Sequence, residues 1–123
     1  ILNTFPAELI ADGAIKYVAV LASAGANSTS LVISSDRLRL HSIVELGLSS
    51  ISSASGEGTT YAYYTSGNRV KTVGNAASEY WTRSPNIPSL GGLTTSFCNI
   101  SDSGKTSSKA ANSSLGVACG FDI

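Results

Sequence analysis

The alternation of apolar and polar positions predicts several short strands, beginning with a hairpin near the N-terminus. Residues 17–22 alternate branched and small side chains, and Leu31-Val32-Ile33 forms a second apolar run, a pattern typical of strands. The segment from Gly25 to Ser28 supplies turn residues between them. We therefore expect the two strands to pair as an antiparallel hairpin that is broken by Ser34-Ser35-Asp36.

Residues 3–16 carry the signals of a short helix. Asn3 or Thr4 can cap it, Pro6 suits its first turn, and Glu8 complements the positive end of the helix dipole. We therefore expect a helix before the hairpin.

A second helix start lies at Ser42-Ile43-Val44-Glu45, which has the spacing of a capping box. In that motif the serine hydroxyl accepts from a backbone N–H, and the glutamate accepts from the backbone N–H of the serine. Gly47 supplies a stop for this helix. Ser42 and Glu45 are therefore expected to be structural, and Glu45 is better explained by the cap than by catalysis.

The rest of the chain reads as further short strands separated by loops. Strands are predicted at 37–40, 61–64, 69–73, 80–83, 93–100 and 115–123, a hairpin turn at 101–104, and loops at 49–60 and 105–114. Many short strands together with two small helices imply an α+β domain.

Composition limits the classes of partner. Charged residues are 13% of the 123 residues, against roughly 25% in an average domain, and eight basic residues cancel eight acidic ones. We therefore expect no binding to nucleic acid. No apolar run approaches the ~20 residues of a membrane span, so no membrane insertion is expected. The chain begins with Ile1 and shows no signal-peptide pattern, which indicates a processed product, a fragment or an unobserved start.

The two cysteines, Cys98 and Cys119, lie in the last quarter of the chain. A disulfide between them would close a short loop and stabilise the domain by ~3 kcal/mol. The alternative is a pair of buried thiols, since cysteine often serves as a small core residue.

Catalytic and metal-binding patterns are absent from the sequence. His41 is the single histidine, and no nucleophile-elbow motif surrounds its neighbour Ser42. One histidine with two distant cysteines gives no zinc pattern, and Asp102-Ser103-Gly104 has too few carboxylates for a calcium loop. We therefore expect no catalytic residues, no metal and no cofactor.

The segment Glu79 to Pro85 holds the only tryptophan, Trp81, with Arg83 two positions later. On a strand both side chains would lie on the same side. Trp81 is expected to anchor the core, the alternative being a binding surface. Arg83 is expected to satisfy loop carbonyls with its planar fork, the alternative being a ligand clamp.

Three segments, in this order, resemble a bacterial and phage domain family of unknown function: Arg39 to Leu46, Tyr80 to Pro85 and Gly116 to Ile123. That family in turn resembles the formylglycine-generating-enzyme branch of the C-type lectin fold. The sequence departs from these relatives at His41, where they often have proline, and at Ala118, where many have arginine.

The resemblance implies a single C-type lectin-like domain over residues 1–123, with short antiparallel strands, one or two small helices and long loops. Residues 1–35 would form the N-terminal helix and hairpin, and residues 36–123 the core shared with the family. Such domains occur on phage tail and fibre proteins and on bacterial surfaces, so the resemblance implies display on a virion or a cell surface.

Recognition by loops is the function that these features favour. Tyr61, Tyr63 and Tyr64 offer aromatic anchors, and the 86–95 and 99–112 loops are rich in Ser, Asn and Gly, as antibody-type binding surfaces are. The alternative is that two of these tyrosines alternate into the core. The residues predicted to contact a ligand are Tyr80, Asn86, Asn99, Ser101, Lys105 and Asn112.

We therefore expect a non-enzymatic display or adhesion domain, on a phage tail, fibre or decoration protein, that binds a host-surface protein or glycan through its C-terminal loops. The alternative is a structural subunit of a virion or surface assembly, which contacts copies of itself or other structural proteins. An enzyme of the formylglycine-generating kind would need a reactive cysteine pair, and Cys98 and Cys119 lie in no motif that matches one.

Overall fold

The computed structural model describes residues 6–11, 14–25, 28–49 and 53–123. Within these ranges the chain forms nine short strands, one α-helix and two 3-10 helices. In chain order they are α1 (Ala7–Ile10), β1 (Val18–Gly25), β2 (Ser28–Asp36), β3 (Arg39–Leu40), a 3-10 helix (Ala62–Thr65), β4 (Lys71–Val73), β5 (Ala76–Ser78), β6 (Tyr80–Pro85), a 3-10 helix (Pro88–Leu90), β7 (Ser96–Ile100), β8 (Thr106–Ala110) and β9 (Cys119–Gly120).

The strands form four small antiparallel sheets. Three are two-stranded, with pairs β1–β2, β3–β9 and β4–β5, and the fourth is the meander β6–β7–β8. A parallel bridge also joins Tyr80 to Gly116. The pairing of β3 with β9 brings the end of the chain against its middle, and this pairing builds the site described below.

The prediction of an α+β, C-type lectin-like fold is wrong, because the described residues form a small β-rich domain with very little helix. The helix expected over 3–16 is reduced to the four residues of α1, which lacks a side-chain cap. The caps proposed for it, Asn3 and Thr4, lie outside the described residues. The helix expected at Ser42 is a single turn, because Gly47 adopts the left-handed conformation (φ 66°) and ends it at once.

Three strand predictions are also corrected. The 105–114 segment, predicted as a loop, contains β8, since the turn at 101–104 folds it back onto β7 residue by residue. The 61–64 segment, predicted as a strand, carries the 3-10 helix Ala62–Thr65. The predicted hairpin near the N-terminus is present as β1 and β2, in register from Val18–Asp36 to Ser23–Leu31. The break predicted at Ser34-Ser35-Asp36 is wrong, because these three residues belong to β2 and pair with β1.

The core lies between the Ser42 turn and the inner face of β6 and β7. Six buried residues pack against one another in this core: Ile43, Leu46, Tyr64, Tyr80, Cys98 and Ile100. Cys98 is buried in this core and Cys119 is half-buried on β9, and both are thiols. Among the described residues, no helix has the length and apolar character that crossing a membrane requires.

Candidate binding site

The side chain of Arg83, on β6, fixes several segments of the chain in place. Its five N–H groups all donate hydrogen bonds, the full capacity of a guanidinium. The acceptors are Leu21 O (2.8 Å), Leu40 O (2.7 Å), Glu57 O (3.0 Å) and the two carboxylate oxygens of Glu45 (2.5 and 2.7 Å). Arg83 therefore ties β1, β3 and two loops to β6, and it has no donor left for a ligand.

The partner of Arg83, Glu45, also closes the Ser42 turn. The backbone N–H of Ser42 donates to Glu45 Oε2 (3.1 Å), and the backbone N–H of Glu45 donates to Ser42 Oγ (3.0 Å). These are the reciprocal bonds of a capping box. The N–H of Gly47 donates to the carbonyl of Val44 (2.9 Å) at the other end, so both ends of this single turn are satisfied.

The carboxyl of Glu45 is held in its charged form. Burial acts to raise its pKa, but interactions with His41, Arg83 and the backbone of Ser42 outweigh burial and bring the pKa from 4.5 to about 2. His41 Nδ1 lies 3.7 Å from Glu45 Oε2. The ring of His41 is thereby placed against the ion pair on one side and against a surface pocket on the other.

That pocket, which we call the tyrosine pocket, has a volume of about 290 Å³. It is lined by Arg39, His41, Tyr61, Tyr63, Tyr64, Gly120, Phe121 and Asp122. The first wall therefore comes from Arg39 on β3 and from His41. The second comes from Tyr61 and the 3-10 helix Ala62–Thr65, and the third from β9 and the two residues that follow it.

The aromatic rings of the tyrosine pocket meet edge to face. The ring centroid of His41 lies 5.4 Å from that of Tyr61 and 5.9 Å from that of Tyr64, and Tyr63 meets Tyr64 at 4.9 Å. These are favourable geometries for aromatic pairs. Tyr64 is buried whereas Tyr63 is 63% exposed. Tyr64 and His41 therefore form the floor of the pocket, and Tyr63 forms its rim.

Arg39 supplies the charge of the pocket. Its Nη2 donates to the hydroxyl of Tyr61 (2.8 Å) and to Asp122 Oδ1 (3.2 Å). Burial acts to lower the pKa of Arg39, but the hydrogen bonds and charge interactions with Tyr61 and Asp122 outweigh burial and raise the pKa above its ordinary value. The Nη1 atom is buried and has no hydrogen-bond partner among the described residues. The described residues thus satisfy the guanidinium only in part.

Two glycines make room for the rings. A Cβ added to Gly67 would lie 2.8 Å from Cε1 of Tyr63, and one added to Gly120 would lie 2.7 Å from Cε1 of His41. Both distances are shorter than a carbon–carbon contact allows. Side chains at these two positions would therefore displace the rim and the floor of the tyrosine pocket.

A second concavity lies on the outer face of β6 and β7, with a volume of about 340 Å³. It is lined by Leu40, Trp81, Thr82, Arg83, Phe97 and Ala111. Trp81, predicted as a core anchor, is half-buried at this groove rather than part of the buried core cluster. The groove has two large aromatic groups, but its one cationic side chain is fully used within the protein.

The structure does not bring the six predicted ligand contacts to one surface. Three are buried: Tyr80, Asn86 and Asn99. The hydroxyl of Tyr80 donates to Arg69 O (2.8 Å), and burial raises the pKa of Tyr80 to about 12. Ser101 and Lys105 lie in the turn between β7 and β8, whereas Asn112 lies beyond the opposite end of β8.

The residues that sequence reasoning missed are Arg39, Phe121 and Asp122. Arg39 and Asp122 are 83 positions apart in the chain, so no local motif links them. The available signal was the terminal strand, which the C-terminal pattern predicted without identifying its partner. Nowhere in the described ranges do three or more His, Cys, Asp or Glu side chains cluster closely enough to hold a metal ion.

Comparison with known proteins gives one match. A family model described as a domain of unknown function, DUF6273, matches residues 1–123. The chain belongs to this family. No curated protein matches the chain, and no solved structure matches it.

Proposed function

We propose that this DUF6273 domain is a non-enzymatic binding module, displayed on a virion or a cell surface, whose tyrosine pocket takes a sugar residue of a host-surface glycan. A phage tail, fibre or decoration protein is the setting that we propose. The observation that carries the proposal is the combination, in one open pocket, of aromatic faces with the polar pair Arg39 and Asp122.

The chemistry of the pocket suits a sugar ring. A pyranose has an apolar face of C–H groups, which packs on aromatic rings, and an edge of hydroxyls, which needs both donors and acceptors. Tyr63 and Tyr61 supply the aromatic surface, and the half-exposed Asp122 supplies an acceptor. A volume of about 290 Å³ lies at the lower end of the range for ligand pockets, roughly 300–1,000 Å³, which favours one ring over an extended chain.

Arg39 adds a reason for a polar ligand. A buried donor without a partner costs about 1–3 kcal/mol, and Nη1 of Arg39 is such a donor beside the pocket. A ligand oxygen that reached Nη1 after a small adjustment of the wall would recover part of this cost. The proposal therefore expects Arg39 to contribute to affinity as well as to the structure of the pocket.

The test is binding to a glycan array, followed by titration calorimetry of the best sugar. Tyr63→Ala removes the exposed rim, and Tyr17→Ala is its matched control, because the two tyrosines are 63% and 69% exposed. We expect Tyr63→Ala to weaken binding about tenfold or more, equivalent to about 1.4 kcal/mol, and Tyr17→Ala to have no effect. Absence of any glycan ligand, or equal effects of the two substitutions, would contradict the proposal.

Two sequence-based predictions stay predictions. One is that the block from Tyr80 to Pro85 is a signature of the family, and the other is that the family resembles formylglycine-generating enzymes. An alignment of DUF6273 sequences that lacked this block in most members would refute the first.

A further inference from the structure

Strand β2 presents an apolar edge to solvent. Seven of its nine residues are exposed, among them Leu31 (39%), Val32 (50%) and Ile33 (70%). Edge strands of monomeric proteins are commonly protected by lysine, proline or a bulge. From Ser28 to Ser35 this strand contains no charged residue and no proline. A register shift lies between the pairs Ser23–Leu31 and Gly25–Ser28, so a bulge protects only the turn end of the strand, and the segment from Leu31 to Ser35 lacks all three protections.

The other edge of the hairpin is covered by the body of the domain. The carbonyl of Leu21 accepts from Arg83 Nε (2.8 Å), and the N–H of Ser23 donates to Glu57 Oε1 (2.8 Å). In the part of the chain that the structure describes, β2 pairs only with β1. The hairpin therefore has one protected edge, on β1, and one open edge, on β2.

The register of the hairpin shows which backbone groups of β2 face outward. The C=O of Leu21 and the N–H of Ser23 point away from β2, towards Arg83 and Glu57. Their partners on β2, Ile33 and Leu31, therefore belong to the non-hydrogen-bonded pairs of the hairpin. The N–H and C=O groups of Leu31 and Ile33 therefore point to the open edge. Val32 lies between them and directs its own backbone groups to β1.

The sequence of β2 is nearly the same in both directions about Val32. Reading outward from this residue, Leu31 is matched by Ile33, Ser30 by Ser34, and Thr29 by Ser35. An antiparallel copy centred on Val32 would thus place apolar side chains opposite apolar ones and hydroxyls opposite hydroxyls. Centring the copy on residue 31 or 33 would place two of the three apolar residues opposite hydroxyls.

We propose that β2 pairs with β2 of a second copy of this chain, antiparallel and about a two-fold axis at Val32. The outward groups of Leu31 then bond those of Ile33 in the other copy, and the two Val32 side chains meet in a non-hydrogen-bonded pair. Charge is compatible with this pairing, because Asp36 faces Ser28 and no like charges are opposed. This pairing goes beyond the sugar-binding function and does not depend on it.

The dimer is expected to be weak and closed. The seven residues from Thr29 to Ser35 extend roughly 23 Å at about 3.3 Å per residue, and two strands alone bury less than the about 1,200–2,000 Å² of a standard interface. We therefore expect a dissociation constant on the order of micromolar. Each hairpin offers one open edge, on β2, so pairing through β2 stops at two copies and gives no filament.

The first test is sedimentation velocity of the protein from about 1 to 500 μM. Val32→Lys places two ammonium groups opposite each other at the axis, and Val73→Lys is the control, because Val73 is also exposed (70%) but lies on β4. We expect the native chain and Val73→Lys to dimerise as concentration rises and Val32→Lys to remain monomeric. A native chain that is monomeric throughout, a polymer, or a Val32→Lys dimer would overturn the proposal.

The second test measures the register by crosslinking, with Cys119→Ser to remove the half-buried thiol. In a non-hydrogen-bonded pair the Cα atoms are about 4.5 Å apart, within the range of a disulfide. Val32→Cys should therefore give a disulfide-linked dimer on mild oxidation. Ser30→Cys, exposed on the same strand but facing Ser34 of the other copy, should not. Equal crosslinking of the two variants, or none with Val32→Cys, would overturn the register.

Discussion

Replacement of Arg83 tests whether one side chain holds the hairpin, the Ser42 turn and β3 together. Arg83→Met keeps much of the side-chain volume but removes the charge and all five hydrogen bonds to Leu21, Leu40, Glu57 and Glu45. Removing one partner of a buried ion pair costs about 3–5 kcal/mol, because the other charge is left uncompensated. We expect Arg83→Met to lower the free energy of unfolding by this amount.

The pH dependence gives an independent measure of the same interaction. A pKa of about 2 in place of 4.5 means that Glu45 contributes about 3 kcal/mol to folding. Because the folded-state pKa is the lower one, this contribution is complete above pH 4.5 and is lost as the pH falls from 4.5 towards 2. In Arg83→Met the pKa of Glu45 rises, so the loss of stability over this interval should become smaller.

The assay is urea unfolding of the native chain and Arg83→Met at pH 7, 4.5 and 3, followed by circular dichroism and by the fluorescence of Trp81. Glu45→Gln and the double variant complete a mutant cycle, which isolates the coupling between the two side chains. A loss below about 1 kcal/mol in Arg83→Met at pH 7, or parallel pH profiles for the two proteins, would refute the reasoning.

Three further predictions, tested with four substitutions, concern other parts of the structure. Glu57→Gln should cost about 1–3 kcal/mol in urea unfolding, because the buried carboxylate accepts from two donors and an amide can accept from only one of them; an unchanged midpoint would contradict this. Gly47→Ala and Gly74→Ala both force alanine into a positive φ, but only at Gly47 would the Cβ meet a backbone oxygen, that of Tyr64, at 2.8 Å. Gly47→Ala should therefore be the more destabilising of the two, by about 1 kcal/mol or more in thermal unfolding, and equal losses would show that the contact is relieved. Gly120→Ala should lower stability by about 1–3 kcal/mol through overpacking and should also weaken sugar binding in calorimetry, whereas intact binding would place the ligand elsewhere.

The features that the sequence predicts well are those that depend on neighbouring residues. The turn at Ser101 to Gly104, the hairpin of β1 and β2, and the reciprocal bonds of Ser42 and Glu45 each involve side chains and backbone groups a few positions apart. The turn depends on a glycine with a positive φ, the hairpin on alternating apolar and polar positions, and the reciprocal bonds on a capping box. Each of these causes is visible as residue types in the sequence.

The features that it predicts poorly depend on distant segments. Asn86 and Asn99 look like exposed loop donors, but both are buried, and Asn99 lies in a strand with neighbours on either side. The helix signals before Ile10 and after Ser42 predict helices longer than the four residues of α1 and the single turn at Ser42, since tertiary packing rather than propensity decides helix length. The tyrosine pocket requires the pairing of β3 with β9, which no local pattern specifies.

That pairing has a consequence for how the tyrosine pocket forms during synthesis. Arg39 and His41 are made well before Gly120, Phe121 and Asp122, which follow them by about 80 positions in the chain. The nascent chain can therefore form the β1–β2 hairpin and the Ser42 turn while the tyrosine pocket still lacks a wall. Contacts of such long sequence separation form late and slowly, so the tyrosine pocket is complete only when β9, Phe121 and Asp122 have docked against β3.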